Sequence, residues 1–383
     1  MIGKSVGIAG RLLLILITAS SVTIQGFADD VDRARLIAAA RAGGDYLVRM
    51  QKPDGSFHYT YDALEDRVAT ETYNILRHAG TAFALLDLYE TTRDARYLES
   101  ARQAIDFLKT RFRPARDKKG LYVLDFDGKT KLGANGLALI ALARQLELDP
   151  KRGDRVSAER LANLILSLQD KDGSFASYYR LHGHEPTGSV SLYYPGEAML
   201  GLARLFKLNG DRRLIESVRL GADHLIAAQK KMETLPDDSW LMQTLEAAHG
   251  IKKENRYADH AINIAESMIA DQYTSASRHP EYEGGFRPGR PRATPAASRA
   301  EGIVAAYRLA RATGDARAPG LAAALKSVAR FLLSQQLNAN DSSLRTPARA
   351  AGGFRESATS WQVRLDYVQH NISALLGIAD ALY

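Results

Sequence analysis

None of the 383 residues is a cysteine, which excludes disulfides, thiolate metal sites and cysteine nucleophiles together. Tryptophan is nearly as scarce, at two residues, and no long alternating apolar–polar run suggests a sheet. After the first thirty residues no stretch is apolar enough to span a bilayer. Charge of one sign is only mildly in excess: 51 Lys and Arg against 44 Asp and Glu give a net charge of +7. That excess favours an anionic ligand but is far from a nucleic-acid-binding tail. What is present, 45% hydrophobic and 25% charged residues, is globular composition and excludes disordered and fibrous classes.

The N-terminus reads as an address. Lys4 and Arg11 precede a mostly apolar stretch from Leu12 to Ile24, and Gly26-Phe27-Ala28 places small residues at the minus-three and minus-one positions of a cleavage site. The expectation is a secretory signal peptide over residues 1–28 and one domain over 29–383, periplasmic or secreted, with no membrane span in the mature protein. Retention of the segment as an anchor is the alternative. Cleavage removes Lys4 and Arg11, leaving about +5.

From Asp30 onward the signal is helical periodicity broken by Gly, Pro and Asp-Gly clusters. Six segments are amphipathic with a charged face, at about 31–50, 93–112, 154–169, 211–229, 255–271 and 317–336. Six others, at about 71–90, 133–148, 192–208, 239–250, 296–313 and 364–382, are rich in Ala, Gly and Leu on nearly every side. A helix apolar all round is buried, whereas a one-faced helix coats a surface. Strict alternation therefore predicts an inner ring of helices wrapped by an outer one. Gln51-Lys-Pro-Asp-Gly-Ser-Phe57 recurs as Gln169-Asp-Lys-Asp-Gly-Ser-Phe175, and Glu283-Gly-Gly-Phe286 and Ala351-Gly-Gly-Phe354 are degenerate copies. Small residues in the apolar helices, as in Ala134-Asn-Gly136 and Ala300-Glu-Gly302, let them approach one another closely.

These paired helices and turns resemble the (α/α)6 toroid, the all-α architecture of six-hairpin glycosidases, toroidal polysaccharide lyases and terpenoid cyclases. The resemblance spans residues 30–383. Cyclases of the squalene type would need an Asp-x-Asp-Asp motif, which Asp125-Phe-Asp127 and Asp237-Asp238 approach without completing. Prenyltransferases and lanthionine cyclases bind zinc through cysteine, so carbohydrate chemistry or a toroid without chemistry remains.

In such a ring the loops entering the inner helices converge on one mouth. Asn74, Arg77 and His78 lie at i, i+3 and i+4 on one face of the first inner helix, with Tyr73 off that face. Asp366 and His370 are i and i+4 on the last, preceded by Arg364, and ring closure sets the two helices side by side. Tyr194 and Glu197 open the third inner helix, where Pro195 marks a first turn, and Arg299 and Glu301 are placed at matching depth on the fifth. The candidate catalytic residues are Glu197, Glu301, Asp366, His78 and His370. Candidate substrate-binding residues are Tyr73, Asn74, Arg77, Tyr194, Arg299, Arg364 and Trp361. Two carboxyls from separate helices suit glycoside hydrolysis; Asn, Arg, His and Tyr suit uronate lysis; His78 with His370 would suit epimerisation. His182-Gly-His184-Glu185 lacks a clear third metal ligand, so no metal and no cofactor is expected. The expected function is a secreted enzyme cleaving a polysaccharide or oligosaccharide as a hydrolase or lyase. The alternatives are a non-catalytic polysaccharide-binding or scaffold toroid in polysaccharide export or biosynthesis and, less favoured because of export, a sugar epimerase. The expected partner is a carbohydrate, neutral or anionic, and not a nucleic acid.

Overall fold

The computed structural model describes residues 31–69, 73–151, 153–181 and 191–383. The expected leader and the His182–His184–Glu185 group lie outside these residues.

Among the described residues, twelve long helices alternate as expected. The outer set is α1 (Arg33–Met50), α3 (Ala95–Lys109), α5 (Arg155–Ser167), α7 (Arg212–Gln229), α9 (Asn255–Ala270) and α11 (Ala318–Ser334). The inner set is α2 (Ile75–Thr92), α4 (Leu132–Leu148), α6 (Tyr194–Asn209), α8 (Ser239–Ile251), α10 (Ala293–Thr313) and α13 (Leu365–Leu382), with a single-turn α12 (Pro347–Ala350) before the last. Each inner helix packs against the next, and α13 packs against α2, so the inner ring is closed. The fold is an (α/α)6 toroid. Small residues set the spacing inside the ring: a Cβ on Gly136 of α4 would lie 2.6 Å from the Ala198 nitrogen of α6, and one on Gly302 of α10 would lie 3.0 Å from Cα of Ser239 in α8.

The recurring turn staples the outer ring. In four copies a glutamine forms an antiparallel bridge with a phenylalanine: Gln51–Phe57, Gln169–Phe175, Gln272–Phe286 and Gln336–Phe354. Each glutamine side chain also donates to a carbonyl of the following outer helix, namely Ser100 (2.9 Å), Ser217 (3.0 Å), Ala324 (3.2 Å) and, across the closure, Ala39 of α1 (2.8 Å). The turn glycine has no room for a side chain: Gly352, at φ +83°, would place a Cβ 1.9 Å from the Ala42 carbonyl oxygen.

Short strands at the mouth went unanticipated, because two to five residues are too few to show alternation. β1 (Thr60–Asp62), β2 (Arg67–Val68), β5 (Arg355–Ser357) and β6 (Ser360–Arg364) form an antiparallel sheet in the order β2-β1-β6-β5, and β3 (Phe112–Pro114) pairs with β4 (Leu121–Val123). The register Thr60↔Arg364 and Tyr61↔Val363 ties the loop entering α2 to the loop entering α13. That pairing brings the first and last mouth segments together. Among the described residues no helix is long and apolar enough to cross a membrane.

Candidate active site

Proton-transfer groups gather where α6, α8, α10 and α13 meet. Nδ1 of His370 lies 3.0 Å from Oε2 and 3.2 Å from Oε1 of Glu301. The Trp240 ring stands edge-on to the imidazole, with centroids 6.4 Å apart. Among the described residues Nε2 of His370 has no hydrogen-bond partner, so the carboxylate orients the ring through Nδ1 and leaves the other nitrogen free to move a proton. Burial works against charge on His370, but nearby carboxylates, Glu301 first and then Asp366, outweigh it and hold the imidazole above its ordinary range. On Glu301 burial pushes the carboxyl up, opposed by His370. The pair titrates as a unit.

Glu197 has the opposite environment. Its carboxyl is buried against Gly133 of α4, where a Cβ would sit 2.1 Å from Oε2. That oxygen has no hydrogen-bond partner among the described residues. Burial raises the group to about 8, with His370 opposing and Asp238 adding to the rise, so Glu197 holds its proton at neutral pH. Asp238, the N-cap of α8, is also pushed up to about 7 by burial, against the hydrogen bonds from Leu241 N and Gln229 Nε2.

Nearer the mouth the charges are paired. Arg364 grips Asp366 through two contacts of 2.6 and 2.9 Å, and Arg77 approaches the same carboxylate at 3.3 Å while donating to the Tyr59 hydroxyl. Asp125 accepts from Ile75 N at the start of α2 (3.0 Å) and pairs with Lys131 (2.6 Å), which also meets Asp127 (2.8 Å). Tyr59, Asn74, Arg77, Asp125 and Lys131 line a hollow of about 350 Å³ at this mouth. Asn74 caps α2 by accepting from Arg77 N, at 3.1 Å.

The expected grouping of Asn74, Arg77 and His78 on one cleft-lining face is not what the structure holds. His78 is fully buried between α2 and α3: Nε2 donates to the Ala104 carbonyl (2.7 Å) and Nδ1 accepts from the Tyr73 hydroxyl (2.7 Å). Burial lowers it to about 4, so this imidazole is neutral, fully bonded and outside the cleft. Tyr73, expected off that face, is its partner, and its hydroxyl also accepts from Phe57 N at 3.1 Å. Arg299 pairs with Asp237 (2.9 Å) and not with Glu301. Glu301 sits over two turns into α10, deeper than Glu197 in the first turn of α6, because α10 begins at Ala293. Tyr194 meets Tyr178 edge-on beside Gly133. Trp361 lies on the strand face opposite to Arg364, under the Arg355 guanidinium at 4.9 Å. Trp240 and Asp238 belong to the site and were not among the residues chosen from sequence, although Asp238 ends a Pro-Asp-Asp loop and caps the helix whose first turn holds Trp240. Among the described residues no cluster of His, Asp and Glu is arranged to hold a metal ion.

This is the fold of the six-hairpin glycosidase-like toroids. Among solved structures, the chain is similar to a cellobiose 2-epimerase from Bacillus thermoamylovorans, with a TM-score of 0.68 and 12% identity over 91% of this chain and 99% of that one. A D-mannose isomerase gives a TM-score of 0.65 and 15% identity over 91% and 97%. A GH76 α-mannanase from Bacteroides thetaiotaomicron gives a TM-score of 0.64 and 12% identity over 92% and 96%. The likeness is one of fold. No protein-family profile matches the sequence, and no curated protein matches it.

Proposed function

We propose that this toroid transfers a proton within a reducing sugar, as an aldose–ketose isomerase. The observation behind the reading is one neutral buried acid, Glu197, within electrostatic reach of one carboxylate-backed imidazole, His370. In an open-chain aldose, Nε2 of His370 in its neutral form removes the C2 proton while Glu197 gives its proton to O1, leaving an enediol, and the raised basicity of the imidazole holds the proton between the two steps. The imidazolium then returns the proton to C1 as Glu197 regains one from the O2 hydroxyl, and the ketose forms. One imidazole suffices for this shuttle. Epimerisation at C2 needs a second base on the opposite face, and the second histidine expected for that role, His78, is bonded elsewhere. Arg77, Arg364 and Tyr59, which share the mouth with Asp366, would bind sugar hydroxyls there. We further propose that residues 29–383 work outside the cytoplasm, freed of the leader.

A glycosidase reading is supported by the protonated Glu197, which suits a general acid, and by the similar mannanases. It is weakened by the state of the other carboxyls, since Asp366 is held by two arginines and Glu301 by His370. Incubation with aldoses in heavy water separates the cases. The expected result is ketose carrying solvent deuterium, lost at least a hundredfold in His370→Asn and Glu197→Gln and declining above about pH 8 as Glu197 ionises. A C2 epimer without ketose, or new reducing ends from a mannan without deuterium uptake, overturns the isomerase reading.

A further inference from the structure

The far end of the inner ring, where the six helices finish, holds a second cavity of about 600 Å³. That is within the usual size of small-molecule sites, roughly 300–1,000 Å³. An adjoining hollow of about 290 Å³ shares Arg144, Arg204 and Arg308 with it and reaches inward to Trp240 and Glu301.

Lys207 stands in the last turn of α6, where a cation is favoured by the helix dipole, and two other cations at this end are accounted for by ion pairs. Arg144 is saturated by Asp87 (2.7 Å), Glu147 (2.7 Å) and Glu90. Arg308 meets Asp380 at 2.6 Å and Glu246 at 3.5 Å. Arg204 and Lys207 differ. They sit one turn apart on α6 and both line the cavity, and neither is in direct ion-pair contact among the described residues, although Glu246 feels both charges and Asp87 that of Arg204. The Arg204 guanidinium is stacked 4.8 Å from the Phe83 ring centroid, and its Nε is buried without a hydrogen-bond partner. A stacked guanidinium is held in one orientation and has donors to spare, an arrangement suited to gripping a planar anion. Gln243 adds an amide and Leu200 and Leu309 add apolar walls.

We propose that this cavity binds a small polar molecule bearing a carboxylate or phosphate, held by Arg204 and Lys207. Arg204 and Lys207 are not among the residues of the Glu197–His370 centre, whose Trp240 and Glu301 the adjoining hollow reaches from this end, and the proposal does not depend on the reaction assigned there.

Calorimetric titration of the full chain with glucuronate, glucose 6-phosphate and glucose tests it, at low salt because screening weakens such contacts. One of the two anions is expected to bind at least tenfold more tightly than glucose, and which one does distinguishes carboxylate from phosphate. Arg204→Gln with Lys207→Gln weakens that binding tenfold or more, while Glu197→Gln leaves it within twofold. If the double variant does not fold, methyl resonances of Leu200, Ala247 and Leu309 in the unaltered protein provide the readout and shift on titration. Equal affinity for glucose and both anions, binding indifferent to the double substitution, or anion-induced shifts confined to the opposite mouth overturns the proposal.

Discussion

Glu197 stores a pH-dependent cost that Glu197→Gln removes. Its carboxyl is raised from an ordinary 4.5 to about 8, chiefly by burial. Below pH 4.5 folded and unfolded chains both carry the proton, so the stability linked to it is fully present there and is lost as pH rises through about 8. Within that window stability falls by about 1.4 kcal/mol per pH unit, so the unaltered protein loses about 2.5 kcal/mol between pH 5 and 7 through this group. Glutamine keeps the shape and stays neutral, so the variant does not lose it. Any offset from packing the amide against Gly133 and Tyr194 is the same at every pH. Asp238, raised to about 7, and His370, held above its ordinary range, are present in both proteins, so the difference reads Glu197 together with its coupling to them. Urea unfolding of the two proteins at pH 5, 6 and 7 gives the quantity directly. The stability of Glu197→Gln relative to the unaltered chain should climb by about 2.5 kcal/mol from pH 5 to 7 while turnover collapses, as for a residue kept for function at the expense of stability. A difference that stays flat across this range refutes the protonated acid, and with it the donor role in the proposed mechanism.

Two further outcomes test the placement of other residues. His78→Leu strips the Ala104 carbonyl and the Tyr73 hydroxyl of a partner, so it should cost about 2–4 kcal/mol in urea unfolding yet leave turnover per folded molecule within twofold; a larger loss of turnover would return His78 to the cleft. Gly352→Ala and Gly289→Ala both put a side chain on a left-handed residue, φ +83° and +70°, but only the first meets a backbone oxygen. Gly352→Ala should therefore be the more destabilising by about 2 kcal/mol or more in the same assay, and equal effects would mean the closing staple between α11 and α1 is loose.

The contrast between what was legible in the sequence and what was not has one geometric origin. Helix type was legible because burial on all sides demands small apolar residues throughout, and Gly136 and Gly302 show why: backbone of the next helix lies where a Cβ would be. The turn repeat was legible because Gly55 and Gly173 sit at positive φ, a conformation that side chains rarely adopt. Site residues obey a weaker constraint. A spacing of i and i+4 says that Asn74 and His78 share a face, but an inner helix of a toroid has two buried faces, one toward the ring axis and one toward its outer partner. Both are apolar, so sequence does not choose between them. For α2 the His78 face turns to α3 and the aromatic cluster of Phe57, Tyr73 and Phe107; for α13 the His370 face turns inward to Glu301. Depth is lost in the same way when a helix start is misplaced. Beginning the fifth inner helix at 296 put Glu301 level with Glu197 and beside Arg299, whereas Pro295 marks a first turn that begins at Ala293. Counting from there sets Glu301 a turn deeper, where the partner it meets is the imidazole that the proposed chemistry requires.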